Sequence, residues 1–428
     1  MKIKLSYGQD KVQIEIPDKN LAGFIQPSVT RAVPDTMSEL NRVLENPHGT
    51  KLRDLVKSKS VCVLVEDHTR SEPHWELLSA VTPHLKDASS IQFMVTTGSH
   101  EVDHPGNRAI VDTIKRAAAD AHLANYRIKI HDCHDKDMVN LGRTSRGTPV
   151  IIDSVAANCG VYVVLSDMKA HYFAGYSNAL KSFLPGICAF ESIEHNHAMA
   201  LDPNSTFGRH PYHPDPKRRN NPLADDMREA MEIITKKAKV FTLAVISSGT
   251  KLVWADAGLI RPVIERGIEV LDETASFTVK STPRIIVSPG GYPEDISLYH
   301  AQRALELTKN AVTDGGEILF LAECKDGVAP EEAVENFYNK LKAPLDTVLK
   351  SISKKYHLYE HKAYKFAELL KRISAVKMLT LLDEKTVTEV HLQKIGDAQA
   401  VVDKWIADDP DVKILVFDKG SKLSIYGS

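Results

Sequence analysis

Cysteine is scarce in this chain and carries no pattern. Cys62, Cys133, Cys159, Cys188 and Cys324 are odd in number, scattered, and form no Cys-x-x-Cys pair. That argues against a disulfide framework and fits a reducing, cytoplasmic setting. Long apolar runs are missing too: none approaches the roughly 18 residues that a bilayer span requires, so no membrane association is expected. Charge of one sign is lacking, with 54 basic against 56 acidic side chains and a net charge of -2. No basic field exists to draw in a nucleic acid. The opening "MKIKLSYGQDKVQIEIPDK" lacks the uncharged core of a signal peptide; its alternation of apolar and polar residues reads as a β-hairpin. There is no internal repeat and no His-Glu-x-x-His motif.

What is present suits a globular protein. At 428 residues, 43% hydrophobic and 26% charged, the chain is too long for one ordinary core, and two domains are expected. The runs "VCVLVED" (61–67), "IQFMVTTG" (91–98), "YRIKIHD" (126–132) and "VYVVLSDM" (161–168) read as buried strands. A helical pattern over 109–125 separates two of them. Such alternation implies βαβ units, a parallel sheet and an α/β fold. A helix over 259–275 leads into a second series: "PRIIVSPGG" (283–291), a helix from about Asp295 to Asn310, "EILFLAEC" (317–324) and "AVKMLTLL" (375–382). The division is placed at 1–270 for the first domain and 271–409 for the second. The end, "VKILVFDKGSKLSIYG", reads as a hairpin, with 410–428 a candidate to return to the first domain. "RHPYHPDPKRRNNPLADD" (209–226) reads as an exposed loop or lid.

Polar motifs stand where such sheets bind ligands, beyond the carboxyl ends of strands. They are "EDHTR" (66–70), "TTGSH" (96–100), "DMKAHYFAGYSNALKS" (167–182) and "SPGGYPEDISLYHAQR" (288–303). Arg70, His100, His171 and Lys181 are thereby expected to converge. The Asp67–Arg70 stretch offers backbone amides and the Thr69 hydroxyl to a phosphate, and an arginine fork to a carboxylate; it reads equally as a helix cap with an exposed arginine. His100 and His171 are either acid/base groups or ordinary loop histidines. "HNH" (195–197) would aim both imidazoles one way if extended, as metal ligands do, but would splay them by roughly 200° if helical. "HDCHD" (131–135) reads as a solvated loop rather than a metal site, and "RHPYH" (209–213) is ambiguous in the same way. Lys181, set between Leu180 and Phe183 before Pro185-Gly186, is placed like a desolvated, nucleophilic amine.

Taken together, "EDHTR", "TTGSH", "HYFAGYSNALKSFLPGI", "HNH" and "GGYPEDISLYHAQRA" resemble the lactate racemase family, whose members use a nickel-pincer nucleotide. The likeness covers essentially the whole chain. It implies two Rossmann-like α/β domains with the active site in the cleft between them, and racemisation or epimerisation of a 2-hydroxy acid by reversible hydride transfer. Residue by residue it implies that Asp67, His68, Thr69 and Arg70 hold the cofactor, with Arg70 also near the substrate carboxylate. His100 and His171 match the paired acid/base histidines. Lys181 matches the covalent tether for the nickel pyridinium-bisthiocarboxylate mononucleotide, and His197 the protein ligand to nickel, leaving His195 structural. His300 and Arg303 stand where the family presents a glutamine and a lysine to the substrate. "HKAY" (361–364) stands where a tryptophan segment is expected, and Asn178-Ala179 replace glycines beside the lysine. These departures point to a substrate larger or more polar than lactate, such as malate, a hydroxyglutarate or a sugar acid. Partners implied are the small hydroxy acid and, indirectly, the cofactor-biosynthesis proteins; a homodimer is left open. Two other readings stand beside this one: a non-catalytic binding protein for cofactor or hydroxy acid, and a zinc hydrolase built on His195 and His197.

Overall fold

In the structure, a computed structural model, every residue is described except 29–31, 71 and 249–250, together with the side chain of Ser248. The chain divides into a central unit, Thr30–Leu271, and a terminal unit made of Met1–Val29 and Asp272–Ser428. Among the described residues, no helix is long and apolar enough to cross a membrane.

The central unit is built on a six-stranded sheet in the order Lys251–Gly258, Lys239–Ser248, Val161–Asp167, Ser60–Glu66, Ser90–Thr96, Tyr126–Ile130. All neighbours pair in parallel except the first two. Parallel central strands are covered on both faces, which is why Val61 to Val65 and Val161 to Leu165 run without a polar interruption and are all buried. The Pro105–Asp120 helix shows the other period: Ile110, Ile114 and Ala117 fall on one face and join the sheet core. Pro105 sits at its first position, and the His104 ring accepts from the Gly106 amide, so the helix starts four residues before the apolar pattern suggested. Chain order runs outward from Ser60–Glu66 to Tyr126–Ile130, then returns to Val161–Asp167 on the other side. The topological switch therefore lies between Ser60–Glu66 and Val161–Asp167, and the carboxyl ends of those strands are its crevice.

The terminal unit repeats the idea with six parallel strands ordered Gln393–Ile395, Ala375–Leu379, Val312–Leu321, Thr282–Val287, Ile414–Phe417, Leu21–Ile25. Its switch lies between Thr282–Val287 and Ile414–Phe417. The expected N-terminal hairpin forms, Lys2–Tyr7 against Asp10–Glu15. Its apolar face (Ile3, Leu5, Ile14, Ile16) packs with Val402 and Trp405.

Two expectations about the ends are corrected. Residues 1–29 belong with the second series rather than the first, and so do 410–428. The end is also not a hairpin. Ile414–Phe417 is buried at all four positions and needs a strand on each side, which Thr282–Val287 and Leu21–Ile25 supply. Ser424–Gly427 pairs in parallel with Ser276–Val279 instead of folding back. The two units meet between Leu271 and Asp272.

Candidate active site

At the switch of the central unit, Asp67 organises the first motif. It is 2% exposed; one carboxylate oxygen accepts from the Thr69 amide (3.2 Å) and hydroxyl (2.6 Å). The other lies 2.7 Å from His100 Nδ1. Burial works against its charge, but the His100 ring, the Arg70 guanidinium and the Thr69 hydroxyl outweigh it and hold Asp67 below the usual carboxylate range. The helix-cap alternative does not hold, because the next helix, His74–Val81, begins later and has no side-chain cap. Asp67–Arg70 is instead a turn, closed by the Arg70 amide on the Asp67 carbonyl. His68 stacks on His104 with centroids 3.6 Å apart and bonds Asn107 at 3.0 Å. Burial lowers its pKa.

The second motif meets the third directly. Gly98 has φ +56°, its amide donates to the Gly186 carbonyl at 3.2 Å, and a Cβ there would lie 3.2 Å from Pro185. The "TTGSH" turn thus rests on the turn that follows Lys181.

Lys181 lies on a one-turn helix, Leu180–Phe183, and is 8% exposed. Its ammonium nitrogen is 3.0 Å from His171 Nε2. His171 closes a short hairpin, Lys169–His171 against Gly175–Ser177, and its Nδ1 accepts from the Ala174 amide at 3.2 Å. The hairpin turns through Gly175 at φ +79°, where a Cβ would lie 1.8 Å from the Arg209 carbonyl; only glycine fits. Asn178, where the family resemblance expected a glycine, closes the turn into Lys181: Oδ1 accepts from the Leu180 amide and Nδ2 donates to the Tyr176 carbonyl, both at 3.0 Å. Phe173 is the common neighbour. Its ring meets His171 edge-on at 4.4 Å and His197 at 5.5 Å, and lies 5.9 Å below the Lys181 nitrogen.

"HNH" lies within the Phe190–Ala198 helix, so its two imidazoles part company. His195 is exposed and bonds Thr148. His197 points inward, 9% exposed, and its pKa falls to about 3 through burial, then through the Lys181 and His100 charges. It is a neutral imidazole at any physiological pH. His100, Lys181 and His197 therefore share one neighbourhood, with His171 in contact with the lysine.

Two loops are more buried than the sequence suggested. In 209–226, Asp215–Lys217 and Asn220 are exposed, whereas His210, His213 and Asn221 are buried. The Asn221 side chain donates to the Phe173 carbonyl at 2.8 Å, and His210 lies 3.1 Å from Asn178, so this loop braces the lysine turn rather than covering it. In "HDCHD", His131 and Cys133 are buried, and the His131 ring bonds the Cys188 carbonyl at 3.0 Å. Among the described residues no three His, Cys, Asp or Glu side chains are grouped to hold a metal ion by themselves, so the zinc hydrolase reading has no ligand set.

Sequence reasoning missed a buried acid cluster under the first motif. Glu66 accepts from the Asp167 amide at 3.1 Å, and His74 lies 3.1 Å from Glu72. Burial, then the Glu66 charge, pushes Glu72 well above the usual carboxylate range. Glu66 and Asp167 could have been found as acids ending apolar strands; Phe173 and Asn221 gave no signal.

His300 and Arg303 lie in the terminal unit on the Leu298–Thr308 helix. Ser297 Oγ bonds His300 Nδ1 at 2.8 Å. Asp295 ties the preceding loop by accepting from the Gly8 and Glu323 amides. Lys362, one residue of the "HKAY" segment, donates to the Tyr299 carbonyl at 2.6 Å and stands 4.0 Å over the Tyr299 ring.

Comparison with known proteins gives a consistent result. The lactate racemase N-terminal domain family matches residues 7–208, and the lactate racemase C-terminal domain family matches 278–423. A lactate racemase from Thermoanaerobacterium thermosaccharolyticum is 30% identical over 82% of this chain and 81% of its own. One from Lactiplantibacillus plantarum is 25% identical over 98% of each. The solved lactate racemase apoprotein from T. thermosaccharolyticum superposes with a TM-score of 0.86 at 25% identity, covering 99% of this chain and 100% of that one. A Thermotoga maritima protein, 15% identical with a TM-score of 0.64 over 92% of this chain and 97% of its own, shares the fold. The chain belongs to the lactate racemase family of isomerases.

Proposed function

We propose that the protein racemises or epimerises a 2-hydroxy acid with a nickel-pincer nucleotide tethered at Lys181. The observation that carries this reading is the contact of the buried Lys181 amine with His171, beside a neutral, inward-facing His197. The residues fit such a group. A metal held largely by an organic ligand needs one protein donor, and His197 is a single buried imidazole without its proton. Asp67, His68, Thr69 and Arg70 lie where the switch of the sheet favours a nucleotide. When bound, the cofactor would supply a reversible hydride acceptor.

The chain's own residues do the proton work. The Cα–H of a 2-hydroxy acid is too weakly acidic for imidazole, so inversion proceeds by loss and return of hydride, and the hydroxyl proton must leave and return with it. A base is needed for each enantiomer's hydroxyl, and His100 and His171 fill those roles. Asp67 fixes the His100 ring through Nδ1 and leaves Nε2 as the atom that takes or gives the proton. Arg70 clamps the carboxylate next to the reacting carbon; His300 and Arg303 are substrate-binding residues as the family resemblance implies, and the substrate is larger or more polar than lactate. The five free cysteines suit a cytoplasmic enzyme.

The test is a panel of chiral 2-hydroxy acids incubated with cofactor-loaded protein in ordinary and deuterated water. Inversion without solvent deuterium at Cα is expected for at least one of them. Deuterium at Cα, or inversion by a His100→Ala/His171→Ala double variant, would overturn the mechanism.

A further inference from the structure

The helix that carries His197 is held by a buried carboxylate on its neighbour. Asp226 lies on the Pro222–Ile234 helix and is 0% exposed. Its Oδ1 accepts from the Thr144 hydroxyl at 2.5 Å, and its Oδ2 from the Thr148 hydroxyl at 2.7 Å and the Asn196 amide at 2.8 Å. All three donors are neutral. Taking a carboxylate out of water against neutral donors is a costly route to stability, whereas a buried hydrogen-bond network fixes one arrangement of the elements it joins. Thr148 has one hydroxyl proton, and it goes to Asp226. The 2.9 Å contact with His195 is therefore a bond from the ring Nδ1–H to Thr148 Oγ1. Residues 195 and 196 of the Phe190–Ala198 helix are both held in this way. Successive residues of an α-helix turn by about 100°, so two fixed directions determine the third, and His197 faces inward. Asn221, the cap of the Pro222–Ile234 helix, donates to the carbonyl of Phe173, the ring that meets His197 at 5.5 Å. One helix thus fastens both partners of that contact.

We propose that Asp226, acting through Asn196, is the positioning residue for His197: it sets the rotation of the Phe190–Ala198 helix and so the aim of the imidazole. The inference rests on the racemase reading only for what His197 then does, which is to hold the metal. Replacing Asp226 by alanine frees Asn196 and Thr148 together, and the helix is no longer kept in one rotation. Asparagine keeps one oxygen for Thr148 and Asn196 and turns its amide towards Thr144 Oγ1, a hydroxyl that also accepts. Asp226→Asn is therefore the conservative variant.

Two measurements on the full-length protein test this. In the first, without cofactor, imidazoles are carbethoxylated with diethyl pyrocarbonate, and buried His197 is read by peptide mass against exposed His122. The His197 rate is expected to rise at least about tenfold in Asp226→Ala and in Asn196→Ala, and to stay within about twofold in Asp226→Asn. Ile114→Ala, which opens a cavity elsewhere in the core of the same unit, should leave it unchanged. In the second, after maturation with the cofactor-synthesis enzymes, nickel is counted per Lys181 adduct during exposure to a chelator. Both alanine variants should keep the adduct and lose nickel about 10–100-fold faster, the usual cost of removing the support behind a metal ligand. An unchanged His197 rate in the alanine variants overturns the proposal, and so does an equal rise in Ile114→Ala. Should Asp226→Ala fail to fold, Asn196→Ala decides by the same comparison. The two readings fail separately. If His197 opens as expected but the matured, unaltered protein carries neither adduct nor nickel, the racemase falls and the positioning stands. If all variants hold nickel equally on an enzyme that inverts a hydroxy acid, the positioning falls and the racemase stands.

Discussion

The two units share one sheet design but place different side chains beyond the ends of their strands. In the central unit the crevice is acidic underneath: Glu66, Glu72 and Asp167 are buried together, and Asp67 pairs with His100. Asp67 holds the His100 ring through Nδ1, the arrangement on which the proposed proton transfer depends. In the terminal unit Gly290-Gly291, both with positive φ, follow the Thr282–Val287 strand, and the buried Lys362 amine donates to the Tyr299 carbonyl. A common fold supplied a crevice twice, and the side chains at the strand ends decided what each could do.

The largest expected effect separates the units by covalent chemistry. Lys181→Ala should yield an unmodified mass and no turnover after maturation with the cofactor-synthesis enzymes, while Lys362→Met should keep the full adduct. Loss of the adduct in both would break the contrast. Next, His100→Ala and His171→Ala should keep the adduct but lower kcat by about 10²–10⁴-fold, the usual worth of a positioned acid or base. Asp67→Asn should fall at about the lower end of that range, whereas His300→Ala should act mainly on KM. Steady-state kinetics on loaded protein checks all four.

Smaller effects concern stability. Gly175 and Gly315 both have positive φ, but a Cβ at 175 strikes the Arg209 carbonyl while one at 315 meets nothing within 4 Å. Gly175→Ala should therefore cost about 3 kcal/mol or more and Gly315→Ala about 1 kcal/mol, read by denaturant unfolding. The last contrast is in pH. His197 and His210 are held neutral, each near pKa 3 in the fold because burial disfavours the charged ring. The unfolded chain binds their protons first, so stability is intact above about pH 6.5 and falls towards pH 3, by about 1.4 kcal/mol per pH unit for each ring. His210→Gln should flatten that slope. Lys362 works in another window: with a folded pKa of about 7, it makes stability rise from pH 7 towards its ordinary value of 10.5. Lys362→Met should remove that rise and leave the acid limb alone.

Much of this was legible before the structure. Continuous β-branched runs such as Val61–Val65 announced parallel strands because only a strand covered on both faces can be apolar throughout. The polar residues that end those runs announced the crevice. Less legible was anything that depends on which surface a loop meets. His210 and Asn221 sit in a stretch rich in proline and charge, yet they are buried against the lysine turn. Ile414–Phe417 looked like half of a hairpin because period and turn residues are local signals, while its neighbours lie more than a hundred and nearly four hundred residues away.

By itself, the sequence determined the class of fold, the strands, their polar ends and the family, because each follows from local periodicity and from short motifs in a fixed order. Only the tertiary structure decided the charge states and pairings: that His197 faces inward while His195 does not, that Asp67 holds His100, and that Lys362 stands over the Tyr299 ring. Desolvation and Coulomb interaction depend on distance in space, and no spacing along the chain encodes them.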